Sequence, residues 1–470
     1  MSRLNRMARQ AALVMALAVA PLAAKAETLA DAMAAAYEHS GLLDQNRALL
    51  RAADENVAQA LSALRPIVSW SANLARDFGV AANAASGFAL VGSASTSASI
   101  NLSAQMLIYD GGQSAIGVEI AKESVLATRE GLTALEQQVL LRAARAFLAV
   151  RQTSEVVALR QSNTRVITQE LRAAKDRFEV GEVTRTDVSL AEARLAAANA
   201  NLAAAQGDLA QAQLEYLAAV GHKPGRLTAS GGLRGLPRSL DAASQTALRQ
   251  HPAMNQARRE ATVSDLRVRL ADAALNPTVS ITGGLSLSEN LGNSARSRGG
   301  SIGLTGQQTI YAGGRLSSLQ RQAMQNRDAS RANLHVVSHQ IRQDVGNALA
   351  ILQVAQASIQ ASQQQVNAAQ VAFRGVREEA TLGARTTLDV LNAEQELLDA
   401  RASLIAAQVD ELAAGYTLLA AMGELTAQKL RLKVRIYDPA GYYNMVKDAP
   451  AGMSAQGKKL DRVLRRVENK

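Results

Sequence analysis

VGEVTRTDV, residues 180–188, returns as LGARTTLDV, residues 382–390. Over Val180–Leu195 and Leu382–Leu397, seven of sixteen positions coincide at a shift of 202 residues: Gly181/Gly383, Thr184/Thr386, Asp187/Asp389, Val188/Val390, Ala191/Ala393, Glu192/Glu394 and Leu195/Leu397. Each copy is a short turn between two long helical runs. A repeat at this period means that one structural unit is used twice. The glycine of each copy allows a tight turn.

The runs beside each turn carry the helical signal. Gln113 to Glu179 contains no proline, and its 67 residues would span about 100 Å at 1.5 Å per residue. After the turn, Val188, Leu195, Leu202, Leu209 and Tyr216 recur every seven residues, with Ala191, Ala198, Ala205, Ala212 and Ala219 between them. The second copy repeats both rows, as Val390, Leu397, Leu404, Glu411, Leu418 and as Ala393, Ala400, Ala407, Ala414, Ala421. A large residue at one seam position and alanine at the other predicts closely packed coiled-coil helices. Only Glu411 breaks the seam.

Upstream of each long helix the period changes. Val68, Trp70, Ala72 and Leu74 alternate with polar residues, as do Ala98, Ile100, Leu102, Ala104, Met106 and Ile108. Period-two alternation predicts strands with one apolar face. The second copy has Val279, Ile281, Leu285 and Leu287, then Ile302, Leu304 and Ile310. Tyr109-Asp110-Gly111-Gly112 and Tyr311-Ala312-Gly313-Gly314 end the two hairpins as strand-to-helix joints, and no Lys-Ser/Thr follows to make either a phosphate loop. The first hairpin is nine residues longer, which places the extra length in its loop.

The predicted organisation is a signal peptide over 1–26, a first repeat over 27–238 and a second over 239–430. The first repeat holds a hairpin at about 66–109, a long helix 113–179, a tip turn 180–187 and a return helix 187–219. The second holds a hairpin at about 277–311, a long helix 315–381, a tip turn 382–389 and a return helix 389–421. A basic tail over 431–470 is expected to be mobile beyond a short ordered stretch. Arg3, Arg6 and Arg9 precede an apolar run, Ala11 to Ala24, and Ala24-Lys25-Ala26 fits a cleavage site. Fourteen apolar residues fall short of the roughly 20 that a spanning helix needs. No later stretch is expected to reach that length, so membrane entry would have to be as β-structure.

Composition excludes several classes. There is no cysteine, so disulfide and thiolate chemistry are absent. Aromatics are only 3%, which suits extended helices better than a thick core. The charge of +10 falls to +6 without the leader, and apart from a cluster near the end (Lys458, Lys459, Arg462, Arg465, Arg466) the basic residues are spread out, whereas a nucleic-acid surface requires a patch with aromatics. His335 and His339 share a helix face at zinc-pair spacing, but the intervening Val336-Val337-Ser338 lacks the glutamate of a zinc-protease motif. No nucleophilic triad or carboxylate pair stands out. Neither catalysis nor a cofactor or metal is expected.

Four strands per chain cannot close a barrel with a packed interior, which takes about eight. Three chains would supply twelve, and cyclic symmetry would remove every open edge. The fold class is therefore mainly α with a β-barrel part: a trimeric twelve-stranded barrel of the outer-membrane type, apolar side out, continued by a hollow helical barrel of coiled coils. A pore-free periplasmic coiled-coil tether or adaptor is the competing reading; it accounts for the heptads but not for the strands.

The doubled tip motif, the YDGG and YAGG joints, the leader and the two-repeat plan resemble the TolC-type outer-membrane channel-tunnel proteins over about Glu27 to Leu430. The resemblance implies a homotrimer in the cell outer membrane with a large periplasmic part. It implies a periplasmic adaptor and an inner-membrane ABC or proton-driven transporter as partners. The implied function is the outer-membrane exit duct for type I protein secretion, for efflux of small toxic compounds, or for both. It places Asp389 at the pore constriction as a carboxylate ring, whose like charges would raise its pKa. Asn392 stands where the family's prototype has a second acidic ring, which implies a weaker cation preference. Arg385 would lock the tip to the neighbouring coil at Thr186 and Asp187, and Ala380 replaces a tyrosine of that lock. Val180, Gly181, Leu382 and Gly383 would meet the adaptor. Helix capping is the alternative role for Asp187 and Asp389.

Overall fold

A computed structural model describes residues 26–468, apart from 83, 85–86, 229–232, 234, 293–294 and 453. The leader lies outside the described residues. The chain forms two compact units, each drawing on both sequence repeats. The first comprises Met1–Asp44, Thr133–Pro252 and His339–Ile436. The second comprises Gln45–Leu132, Ala253–Ser338 and Tyr437–Lys470.

In chain order the elements are α1 (Leu29–His39), α2 (Gly41–Ser62), β1 (Ile67–Ala82), β2 (Leu90–Tyr109), α3 (Gln113–Glu179), α4 (Arg185–Val220), α5 (Leu240–Gln250), α6 (Pro252–Ala273), β3 (Thr278–Asn290), β4 (Arg296–Gln307), α7 (Arg315–Thr381), α8 (Thr387–Ala421), α9 (Pro439–Val446) and α10 (Ala455–Glu468). Both long helices, α3 and α7, have 67 residues.

The first unit is helical. Its seam is the alanine row seen in the sequence: Ala191, Ala198 and Ala205 of α4 and Ala400, Ala407 and Ala414 of α8 are buried. Alanine at these sites lets backbones approach closely. Ile167, Leu171 and Ala174 of α3 pack with Ala191 and Ala198 of α4 and with Leu391 of α8 in one cluster. Val366 of α7 packs with Leu397 and Ala400 of α8 in another. Glu411, the break in the seam, accepts a hydrogen bond from Gln356 of α7 at 3.4 Å. Helix α8 corrects one expectation. It is long and apolar enough, by length and composition, to cross a membrane. Among its apolar residues, Leu391 packs on α3 and Leu397 and Ala400 pack on α7, and 39% of its most apolar stretch is buried.

The second unit holds a four-stranded antiparallel sheet in the order β1-β2-β3-β4, so β2 and β3 join the hairpins of the two repeats. Pairing Trp70 with Leu102, Leu102 with Leu285 and Leu285 with Gly300 puts the apolar residues of all four strands on one face. That face is bare: Trp70 is 73% exposed, Phe78 76% and Ile302 87%. The other face carries mainly serine, threonine, asparagine and glycine, as in Ser71↔Asn101 and Ser286↔Gly299.

Two expectations about the hairpins change. The extra length of the first is mostly strand: β1 and β2 have 16 and 20 residues against 13 and 12 in β3 and β4. The alternation that marks these strands is diluted by small residues near the loop, so their ends were hidden. Strand β4 stops at Gln307, leaving Ile310 outside it. At the joint after β2, Asp110 caps α3 by accepting from Gly112 N at 3.0 Å and Ser114 N at 2.6 Å. Gly111 and Gly112 adopt φ of 65° and 87°, a region open chiefly to glycine.

The C-terminal segment is also corrected. It is anchored rather than loose through residue 449. Tyr437 and Tyr443 pack against a buried cluster of Leu50 and Val57 from α2 and Val125 from α3. Tyr442 donates to Glu55 at 2.6 Å, and Arg65 donates to the carbonyl oxygens of Asp448 and Ala449. Asp438 caps α9, with proline in its first turn.

Candidate functional site: the paired helical tips

Both tips lie in the first unit and are built from the same hydrogen bonds. At the end of α3, Gly181 N donates to Phe178 O at 3.0 Å and Glu182 N to Arg177 O at 2.9 Å. At the end of α7, Gly383 N donates to Ala380 O at 3.2 Å and Ala384 N to Glu379 O at 2.9 Å. Gly181 and Gly383 take φ of 82° and 78°. Each is the left-handed glycine that closes a helix while satisfying its last carbonyls.

The next helix starts four residues after the glycine in both copies. Thr184 caps α4 and Asp187 completes the reciprocal box; Thr386 and Asp389 do the same for α8. Asp389 Oδ2 accepts from Thr386 N at 3.0 Å and Oγ1 at 2.8 Å, while Thr386 Oγ1 accepts from Asp389 N at 3.2 Å. The capping role is therefore real, with threonine rather than aspartate as the cap residue. The bonds from Thr386, and then the Arg385 charge, hold the Asp389 carboxyl below the usual range; those from Thr184 do so for Asp187. Within one chain the direction is opposite to that expected of a ring of like charges.

Within one chain, Arg385 is engaged locally. Arg385 Nε donates to Glu379 Oε2 at 2.8 Å, inside its own turn, and not to Thr186 or Asp187. Glu379, six residues earlier at the end of the preceding helix, holds it. The link between the two return helices is instead Arg194 of α4 to Asn392 of α8, Nη2 to Oδ1 at 2.9 Å. Asn392, expected in the constriction, is thus occupied by a cross-tie. Arg194 was not singled out in the sequence because its partner belongs to the other repeat.

A second missed residue is Glu394. Its counterpart in the first repeat, Glu192, lies at the surface and pairs with Lys175 at 2.9 Å. Glu394 is only 7% exposed, and its Oε2 has no hydrogen-bond partner. It faces a cleft of about 180 Å³ lined by Asn163, Phe373, Arg374, Leu397 and Arg401. Burial, with the nearby charge of Glu170, pushes its carboxyl up to about 7 against the pull of Arg377. Arg377 itself lies 3.7 Å from Glu170. The repeat did carry a signal here, since glutamate recurs at this motif position. Val180 and Leu382, the tip residues expected to meet the adaptor, are 72% and 85% exposed.

The tips, the bare apolar sheet face and the two-repeat order agree with comparison to known proteins. A family model described as outer membrane efflux protein matches residues 32–222 and 243–424. The chain belongs to the outer membrane efflux protein family. A member from Brucella suis, outer membrane efflux protein BepC, is 35% identical over 433 residues, covering 92% of this chain and 93% of its own. Outer membrane protein TolC of Vibrio cholerae is 26% identical over 415 residues, covering 86% and 92%. In fold, the CmeC outer membrane channel of Campylobacter jejuni superposes with a TM-score of 0.75 at 16% identity, covering 90% of each chain. This efflux family member therefore resides in the outer membrane with a large helical part and serves in export. The pore-free tether finds no support beside the sheet and these relatives.

Proposed function

We propose that three copies of this efflux family member close a twelve-stranded barrel and form the exit duct of a tripartite export system. The observation that carries this reading is the sheet. Within one chain β1 and β4 are its outer strands, and its apolar face is bare. Unpaired strand edges are untenable in lipid, and a threefold ring pairs every one of them. Strands with one apolar and one polar face suit a barrel with lipid outside and water within.

The periplasmic adaptor docks at the exposed tips, Val180-Gly181 and Leu382-Gly383, and an inner-membrane ABC or proton-driven pump supplies the energy. Three copies of Asp389 set the ion preference of the entrance, and the Arg194–Asn392 tie holds the return helices of each chain together. The protein catalyses nothing; its work is passage of proteins by type I secretion or of small toxic compounds. Light scattering on protein extracted in mild detergent tests the assembly. Three chains per particle, with heat-modifiable migration, is the expected result; a folded monomer overturns the proposal.

A further inference from the structure

The C-terminal segment climbs the second unit toward the base of the sheet. Its contacts advance in step along α2 and past its end. The Arg47 guanidinium lies over the Tyr437 ring at 5.4 Å, and Tyr442 donates to Glu55. Arg65 then donates to the carbonyl oxygens of Asp448 and Ala449. From Arg47 to the end of α2 at Ser62 the helix rises by about 22 Å. Arg65 stands two residues before β1, and Val68, where the bare apolar face begins, is 65% exposed. The strand ends that meet helices are the periplasmic ends of the barrel, so Arg65 holds residue 449 close to the periplasmic surface of the membrane.

Helix α10 starts six residues after Ala449 and is held there. Gln456 Nε2 donates to Met445 O of α9 at 3.0 Å, and Ser454 Oγ accepts from Gly457 N at 3.0 Å. A Cβ on Gly457 would meet Ala451 O, so the turn between α9 and α10 closes tightly on the helix. At 100° per residue, Lys458, Lys459, Arg462 and Arg465 fall within an arc of about 120°. All four are exposed, whereas Leu460, on the opposite side, is buried. The helix thus turns Leu460 toward its own unit and these cations outward. Arg462 Nε donates to Lys458 O at 3.3 Å, and none of the four forms an ion pair among the described residues. Lys458 and Arg462 are four residues apart, Lys459 and Arg462 three, Arg462 and Arg465 three, so neighbouring cations repel one another along the helix. An anionic surface opposite them relieves that repulsion, and the surface close at hand is the membrane.

We propose that α10 docks on the periplasmic leaflet of the outer membrane, with Lys458, Lys459, Arg462 and Arg465 against the phosphates of anionic phospholipids. The inference rests on the barrel reading, which sets where the membrane lies. The chain has no cysteine, so Ala455→Cys, exposed in the same arc, takes a single bimane label. The labelled full chain is placed in lipid nanodiscs whose headgroups carry a nitroxide quencher. Quenching should be strong where phosphatidylglycerol is present and weak in phosphatidylcholine alone. It should fade at about 1 M salt, where screening shortens to about 3 Å. Lys458→Gln with Lys459→Gln should weaken docking about thirtyfold, at roughly fivefold per cation near an anionic surface. Lys458→Arg with Lys459→Arg keeps the charge and should preserve the quenching. Equal quenching in the two lipids, or an undiminished phosphatidylglycerol dependence in the glutamine variant, overturns the proposal. A label already shielded from iodide in detergent, with no phospholipid present, assigns the face to a second copy and also overturns it. A preparation lacking β signal and heat-modifiable migration would instead defeat the barrel reading beneath it.

Discussion

Replacing Glu394 by glutamine should stabilise the protein at pH 8 and do little at pH 5. The side chain is almost wholly buried, and its Oε2 has no hydrogen-bond partner. The groups around it are Glu170 from α3, Arg377 from α7 and, along the same cleft, Arg374 and Arg401. Burial is the largest influence, and it raises the carboxyl from an ordinary 4.5 to about 7. A carboxyl with a raised folded-state pKa binds its proton more tightly when folded than when unfolded. Its stabilising contribution is therefore present in acid and is lost as pH climbs from the unfolded value through about 7. Above that point an ionised Glu394 costs the folded state about 3 kcal/mol relative to its neutral form. Glutamine has nearly the same shape and never ionises.

Thermal melting followed by helical circular dichroism, at pH 5 and pH 8, reads the difference. The variant should melt above wild type at pH 8 by on the order of 5 °C, with the gap closing at pH 5. Glu192→Gln is the control, because it removes an exposed ion pair worth roughly 0–1 kcal/mol. It should shift melting little at either pH. A Glu394→Gln gap that is the same at both pH values, or a wild type that melts higher than the variant at pH 8, would refute the account.

Two further predictions concern passage through the tips. Asp389→Ala should lower cation selectivity in planar bilayers; unchanged selectivity removes Asp389 from the constriction. In the wild type, the capping box keeps Asp389 charged below the usual carboxylate range, whereas a close ring would raise its pKa, so the pH at which selectivity fades tells which influence prevails. Arg194→Ala should raise single-channel conductance by releasing the tie to Asn392, and should do so more than Arg385→Ala, whose partner is in its own turn. If Arg385→Ala opens the channel and Arg194→Ala leaves conductance at the wild-type level, the cross-tie is not the lock.

What could be read from the sequence was what depends on near neighbours. Uninterrupted 3.6-residue periodicity and the absence of proline mark the extents of α3 and α7 in the sequence. Gly181 and Gly383 announced their turns because a left-handed backbone favours glycine. Asp187 and Asp389 were visible as start-of-helix carboxylates, but the threonine three residues before each one is the cap, and the box is a relation between two positions. Arg194 and Asn392 meet only after two repeats have folded together, 198 residues apart. The C-terminal segment was misread because its lysines and arginines outweighed Tyr437, Asp438, Pro439, Tyr442 and Tyr443. Those five held the evidence: a helix cap, a first-turn proline and three rings in need of cover.

The two tips show how a duplicated unit acquires different duties without changing its frame. Glycine, threonine and aspartate recur because each performs a local task that any helix–turn–helix tip must have done. The glutamate recurs too, yet its task depends on what packs over it. In the first repeat, Lys175 meets Glu192 at the surface. In the second, the nearest strong cation, Arg377, is turned toward Glu170, and Glu394 is covered without a partner for one of its oxygens. The second tip loses stability when Glu394 ionises. Arg194 ties the first return helix to Asn392, two residues before Glu394. The difference between the two tips therefore resides in burial around one side chain, not in the motif that the repeats share.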